Sequence, residues 1–333
     1  MKRFAVIGAG SWGTALAVMA GRAGHEVRIW GRNPETVGAI NRERVNPRYL
    51  PKVLIPPTVS ATNDCSLVLD EAQFVVLAVP SHVVRELVAG IAPAWRSEMV
   101  LISATKGIET KTGKRISEIV EDVFGGALTR RFVCISGPSF ASEVIKGHPT
   151  AIAAASLDSE SGLAVQQALS IEYLRIYTND DLIGTELGGS VKNVIAIAAG
   201  MVGGLGFGSN SVAALITRGL AEMTRLATQA GGQLETLMGL AGLGDLVLTC
   251  TGNLSRNRFV GQELARGRNL NEIVTSMNEV AEGIKTTEAV RQLAGKLRVE
   301  MPITEEVYQV LYEGKTPQLA ADALMNRPLR SEF

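Results

Sequence analysis

A lysine amine held away from water can trade a proton near neutral pH, and one lysine in this chain stands out for that chemistry. In ELGGSVKNVIAIAAGMVGGLGFGSNSVAALITR, residues 186–218, Lys192 is the one charge between the two ends. Val191, Val194, Ile195, Ala196, Ile197, Ala198 and Ala199 make the segment apolar around its whole circumference, the mark of a buried helix. Burial disfavours an ammonium and lowers its pKa, which suits proton transfer. The other reading is a lysine in the first turns of a helix that begins after Gly188-Gly189, with its head snorkelling to water. Composition alone leaves both readings open.

Two later segments offer groups that fit the first reading. AGLGDLVLTC places Asp245 in a Gly-bracketed turn, able to pair with a buried lysine or to bind a substrate hydroxyl. CTGNLSRNR brings together Ser255, Arg256, Asn257 and Arg258. A hydroxyl, a guanidinium and an amide in one run could clamp a phosphate, or could be a helix N-cap with exposed arginines. Three earlier segments end in reactive types: Pro80-Ser81-His82, Thr105-Lys106-Gly107, and Gly137-Pro138-Ser139-Phe140-Ala141. Lys106 could set a cation over a polarised oxygen, and it could equally be a loop lysine. The simpler reading of Ser81-His82 is a capping serine and the first helical residue. His25 and His148 sit in expected turns. No His/Asp/Glu set has metal-ligand spacing, and no nucleophile-elbow motif occurs.

At the N-terminus, VIGAGSWGTALA contains Gly8, Gly10, Ser11, Trp12 and Gly13 in a GxGxxG pattern. It follows an apolar run and opens an Ala/Leu-rich helix, the context a dinucleotide turn requires. Gly8 permits the tight turn, Gly10 lets backbone approach a pyrophosphate, and Gly13 lets helix and strand pack. About 20 residues on, where NAD-preferring proteins carry an acid, this chain has Gly31-Arg32-Asn33. An arginine there suits a 2′-phosphate. NADP(H) is therefore the expected and preferred cofactor, with NAD(H) left open and a solvated turn arginine as the competing account.

These residues need elements to hold them. Short apolar runs at 4–7, 27–30, 74–79, 99–103, 132–136, 151–155 and 173–177 alternate with helix-length segments. That pattern predicts a parallel sheet covered on both faces. After Asp180 only helical periods remain. The expected fold class is α/β: an N-terminal Rossmann-like doubly wound sheet, residues 1–187, plus an all-α C-terminal domain, residues 188–333. The stretch 186–218 is long enough to span a membrane, but its central glycines read as a turn between two buried helices. The residues 327–333 read as a frayed tail. Acidic and basic residues balance at 33 each, which gives no sign of a nucleic-acid or membrane-surface partner. Cys65, Cys134 and Cys250 form no CxxC pair and point to reduced thiols in a cytoplasmic protein.

Taken together, these motifs resemble those of bacterial NAD(P)-dependent glycerol-3-phosphate dehydrogenases. GAGSWGTALA, VPSH, SATKGIE, ISGPSFASEV, ELGGSVKNVIAIAAG, ITRGLAEM, GLAGLGDLVLTCTGNLSRNR, VAEGIKTT and MPITEEVYQVLYEG carry the likeness, in order, over nearly the whole chain. The resemblance implies reversible reduction of dihydroxyacetone phosphate to sn-glycerol 3-phosphate, feeding glycerophospholipid synthesis. It implies Lys192 as proton donor and acceptor, and Lys106 as a lysine touching cofactor and substrate. It implies substrate contacts from Gly137, Ser139, Asp245, Ser255, Arg256 and Asn257. Cofactor contacts are implied for Ser11, Trp12, Arg32, Tyr49, Lys106, Ala141, Arg256, Val280 and Glu282, and a homodimer is implied for the assembly. A β-hydroxyacid or ketopantoate-type dehydrogenase is the alternative enzyme, though it has no need of a phosphate clamp at Ser255–Arg258. A non-catalytic NAD(P)-sensing module would have no need of Lys106, Lys192 and Asp245.

Overall fold

Runs rich in Val, Ile and Phe become eight strands: β1 (Arg3–Ile7), β2 (Glu26–Trp30), β3 (Val59–Thr62), β4 (Phe74–Leu77), β5 (Val100–Ser103), β6 (Phe132–Ser136), β7 (Thr150–Ala155) and β8 (Leu174–Asn179). The computed structural model describes residues 1–126, 128–277, 279–329 and 331–332. The strands form one sheet in the order β3-β2-β1-β4-β5-β6-β7-β8. Neighbours run parallel except β6 and β7, so the sheet is mixed rather than all-parallel. β4, β5 and β6 are buried along their whole length, as strands covered on both faces must be. All seven strands expected from the apolar runs are present, with ends shifted by no more than two residues. β3 is the addition. Its sequence, VSAT, is too short and polar to announce a strand, and pairing with β2 orders it.

The strand order reverses between β1 and β4, so their carboxyl ends open a crevice where α/β sheets bind ligands. The residues after β4, β5 and β6 leave neighbouring strands at that same edge.

By compactness the chain divides into two units, Met1–Lys106 with Lys114–Glu186, and Gly107–Gly113 with Leu187–Phe333. The chain passes from the first to the second inside one helix, Leu182–Gly204. This helix begins well before Gly188-Gly189, because the Asp181 carboxylate accepts from the Gly184 N–H at 2.8 Å and caps it there. Lys192 therefore lies ten residues into the helix (192 − 182), nearly three turns from its start. Some of the glycines within it serve close contact. A Cβ on Gly188 would lie 2.7 Å from the Ala241 carbonyl oxygen, and one on Gly200 would lie 2.0 Å from that of Arg258. By length and composition this helix could cross a membrane, yet 83% of its most apolar window is buried, as in a core helix.

Among the described residues no strand follows Asn179. The turn after Gly204 leads into the helix Ser209–Gln229. That second helix is not buried throughout, as the uncharged sequence suggested. Asn210, Ala213 and Ala214 are exposed, and the buried stripe is Leu215, Gly219, Glu222, Met223, Leu226 and Ala227. Beyond the last helix, Pro317–Met325, Arg327 still ion-pairs with Glu300 while Leu329 is fully exposed. Arg330 and Phe333 of the expected tail lie outside the described residues.

Candidate active site

The second unit holds the lysine. Lys192 is 6% exposed. Its Nζ forms an ion pair with the Asp245 carboxylate and donates to the Thr249 hydroxyl at 2.8 Å. Asp245 is 1% exposed and opens the helix Asp245–Thr251. A wide helical turn, Leu240–Gly244, delivers it there. Gly188 admits that turn against the lysine helix, and Gly242 folds it back on Leu237, whose carbonyl would meet a Cβ at 2.1 Å. The snorkelling alternative is thereby excluded. The amine is held inside the fold by contacts that include the Asp245 carboxylate and the Thr249 hydroxyl. Cys250 borders the pair, and burial pushes its thiol up to about 12, which leaves it unreactive.

Ser255 caps the helix Arg256–Ala265, its hydroxyl accepting from the Arg258 N–H at 3.2 Å. The helix-cap reading thus holds for Ser255. Arg256 is half exposed and ion-pairs with Glu279 at 2.8 Å, so a phosphate approaching it must compete with a carboxylate. Asn257 is buried. Its Nδ2 donates to Asn193 Oδ1 at 2.8 Å and its Oδ1 accepts from the Gly283 N–H at 2.9 Å. It ties the lysine helix to the start of the helix Glu282–Leu297, of which Glu282 is the first residue. Val280, just before, is exposed.

In the first unit, the three reactive strand ends do converge. Lys106 donates from Nζ to the Gly137 carbonyl at 3.0 Å, and the Ser139 hydroxyl donates to the same oxygen at 2.9 Å. The Thr105 hydroxyl donates to the Val79 carbonyl at 2.8 Å. Gly137 has φ +144 and no room for a Cβ beside Ile152. Ala141 begins the short helix Ala141–Val144. Ser81 does not stand before a helix as its N-cap residue, a place that Pro80 takes. It starts a short 3-10 turn, Ser81–Val83, whose entry has no side-chain cap, and His82 is exposed on it.

The glycine turn fits a dinucleotide. Gly8 has φ +121, and its Cβ would strike the Ala78 carbonyl at 2.4 Å, while a Cβ on Gly13 would strike Gly8 at 2.0 Å. Gly10 borders open space, with nothing within 4 Å of where a Cβ would stand. The helix Ser11–Arg22 carries neither a side-chain cap nor an acid in its first turn, which suits an anion. The indole Nε1 of Trp12 is buried without a partner. Arg32 is exposed beyond β2, between buried Gly31 and Asn33, whose side chain caps the next helix through the Thr36 N–H at 2.9 Å. Tyr49 is partly buried beneath the Arg48 guanidinium, 5.4 Å from its ring centre.

Sequence reading missed Thr249, although its spacing of four from Asp245 on a helix places both on one face. It also missed Asn193 and Asn46, buried amides whose roles depend on distant partners. Among the described residues no cluster of His, Cys, Asp and Glu could hold a metal ion.

Two family models match the chain: the NAD-dependent glycerol-3-phosphate dehydrogenase N-terminus over residues 3–162, and the C-terminus of the same family over residues 181–322. A glycerol-3-phosphate dehydrogenase [NAD(P)+] from Koribacter versatilis is 52% identical over 100% of this chain and 99% of its own length. The crystal structure of a glycerol-3-phosphate dehydrogenase from Coxiella burnetii superposes with a TM-score of 0.93 at 42% identity, covering 98% of this chain and 99% of that one. A ketopantoate reductase from Ralstonia eutropha reaches a TM-score of 0.56 at 16% identity over 98% of this chain and 100% of that one, a likeness of fold alone.

Proposed function

We infer the reaction from one premise: this chain belongs to the NAD-dependent glycerol-3-phosphate dehydrogenase family. It is an NAD(P)-dependent oxidoreductase that interconverts dihydroxyacetone phosphate and sn-glycerol 3-phosphate, a supply of glycerol phosphate for phospholipid synthesis. The observation that carries this reading is the buried Lys192–Asp245–Thr249 set, with the Arg256 guanidinium at the start of a helix packed on the lysine helix.

A reduced nicotinamide supplies the hydride when bound. Lys192 gives a proton to the substrate oxygen as it becomes an alkoxide, and takes it back in the reverse direction. Asp245 holds the ammonium, and Thr249 aims it. Arg256 takes the substrate phosphate in place of Glu279, supported by Ser255 and Asn257. Lys106, Gly137 and Ser139 contribute a cation and a polar turn that stabilise developing charge. In the first domain the Gly8–Gly13 turn, with Ser11 and Trp12, holds the pyrophosphate, and Tyr49, Lys106 and Ala141 complete that domain's contacts. Arg256, Val280 and Glu282 of the helical domain are cofactor contacts as well. Arg32 prefers NADP(H) by charge, with NAD(H) also accepted. A homodimer in the cytoplasm completes the proposal.

The test is loss of reduced-nicotinamide absorbance with purified protein and dihydroxyacetone phosphate, using NADPH and NADH in parallel and unphosphorylated dihydroxyacetone as control. Oxidation that requires the phosphate supports the reaction and the clamp. Cofactor binding without reduction of any phosphorylated ketone would hand the site to the hydroxyacid or the NAD(P)-sensing alternative.

A further inference from the structure

Asn46 lies between the helix Pro34–Arg42 and β3, with no exposed surface. Its Nδ2 donates at 2.9 Å to the Ala9 carbonyl and at 2.9 Å to the Thr14 hydroxyl. Its Oδ1 accepts from the Tyr49 N–H at 3.3 Å, and its own carbonyl accepts from the N–H groups of Tyr49 and Leu50 at 3.3 and 2.9 Å. One buried side chain thus fastens both ends of the glycine turn and the segment that carries Tyr49. Ala9 stands between Gly8 and Gly10. In a trans peptide the carbonyl and the following N–H point to opposite sides. Fastening the Ala9 carbonyl to Asn46 therefore aims the Gly10 N–H away from Asn46, and Gly10 borders open space. Thr14 N–H in turn donates to the Gly10 carbonyl at 2.9 Å, so the same amide steadies the first turn of the helix.

We propose that Asn46 is a positioning residue for the dinucleotide: it sets the phosphate-binding amides and keeps Tyr49 in register with them. This rests on the reading that the dinucleotide lies on this turn. A carboxylate could not replace the amide, because the Ala9 oxygen can only accept.

The test titrates NADPH and NADH into the full-length protein by nicotinamide fluorescence, alongside thermal melts and the KM for dihydroxyacetone phosphate at saturating NADPH. Asn46→Ala should weaken both cofactors about tenfold, the effect of losing a hydrogen bond that shapes a binding surface. The substrate KM should stay put. Thr14→Val, which keeps the volume and removes the acceptor, should weaken both cofactors in the same direction, and Thr14→Ser should restore them. These two variants decide the matter if Asn46→Ala does not fold. Cofactor constants unchanged in Asn46→Ala and Thr14→Val would overturn the proposal. So would a fall in melting temperature with cofactor and substrate constants drifting together, which is what a merely structural amide would give. If the wild-type protein bound no dinucleotide, the proposed function would fail along with this inference. Wild-type binding with unaltered variants would sink the Asn46 role alone.

Discussion

Lys192→Met keeps the length of the side chain and deletes its charge. Asp245, whose side chain is 1% exposed, would then hold a carboxylate with the ammonium gone. Stranding one member of a buried ion pair costs about 3–5 kcal/mol. At roughly 2–4 °C per kcal/mol for a domain of 150–250 residues, the melting temperature should fall by about 6–20 °C. Adding Asp245→Asn removes the stranded charge, and the double variant should regain most of that loss, because replacing both partners is close to neutral. Turnover should not follow stability. Both the single and the double variant lack the proton donor and should lose about 10²–10⁴-fold in kcat. Calorimetry and NADPH oxidation on the same preparations separate the two effects. A double variant as unstable as the single would show that the pair is not an energetic unit. Near-normal turnover in either would remove Lys192 from the chemistry.

Other outcomes follow from single contacts. Arg32→Ser should raise the KM for NADPH about tenfold while leaving that for NADH nearly unchanged, since only the former offers a phosphate to the guanidinium; equal changes in both would refute the assignment of Arg32. Glu222 is buried and accepts from the N–H groups of Ile303 and Thr304 at 2.6 and 3.2 Å. Burial outweighs those bonds and the nearby Arg225 and pushes its carboxyl from 4.5 up to about 7. A folded value above the unfolded one gives stability that is full below 4.5 and is lost as pH rises through 7. Wild-type protein should therefore lose more stability than Glu222→Gln between pH 5 and 8, by something on the order of 3 kcal/mol at most; parallel pH profiles would refute it. In Gly261→Ala the new Cβ would sit 1.9 Å from the Ile197 carbonyl oxygen, backbone against backbone. The lysine helix and its neighbour must separate, and thermal melts should show a loss of about 1–3 kcal/mol or more.

Much of the first unit was legible in sequence because its signals are local. A strand, a glycine turn and an Ala-rich helix occupy one short run, and the φ of Gly8 and the close contact of Gly13 are what the GxGxxG spacing encodes. β3 was not legible, because four residues with two hydroxyls carry no pattern until β2 pairs with them. The start of the lysine helix was misplaced by reading Gly188-Gly189 as a boundary. Asp181 caps the helix earlier, and Gly188 is there for contact. The sequence offers Asn257 as part of a phosphate clamp, and the tie its amide makes between Asn193 and Gly283 is one that no spacing reveals.

Sequence alone determined the order of the strands other than β3, the dinucleotide turn and the burial of a helix apolar on every side, since each depends on residues within a few turns of one another. Only the tertiary structure decided what Lys192 is. Its partners lie 53 and 57 residues away, and they reach it because Gly188 and Gly242 let backbones approach where a methyl group would not fit. Composition could count the lysine and the aspartate. Whether the amine snorkels to water or is held between a carboxylate and a hydroxyl depends on how two helices pack, and that packing is a property of the whole fold.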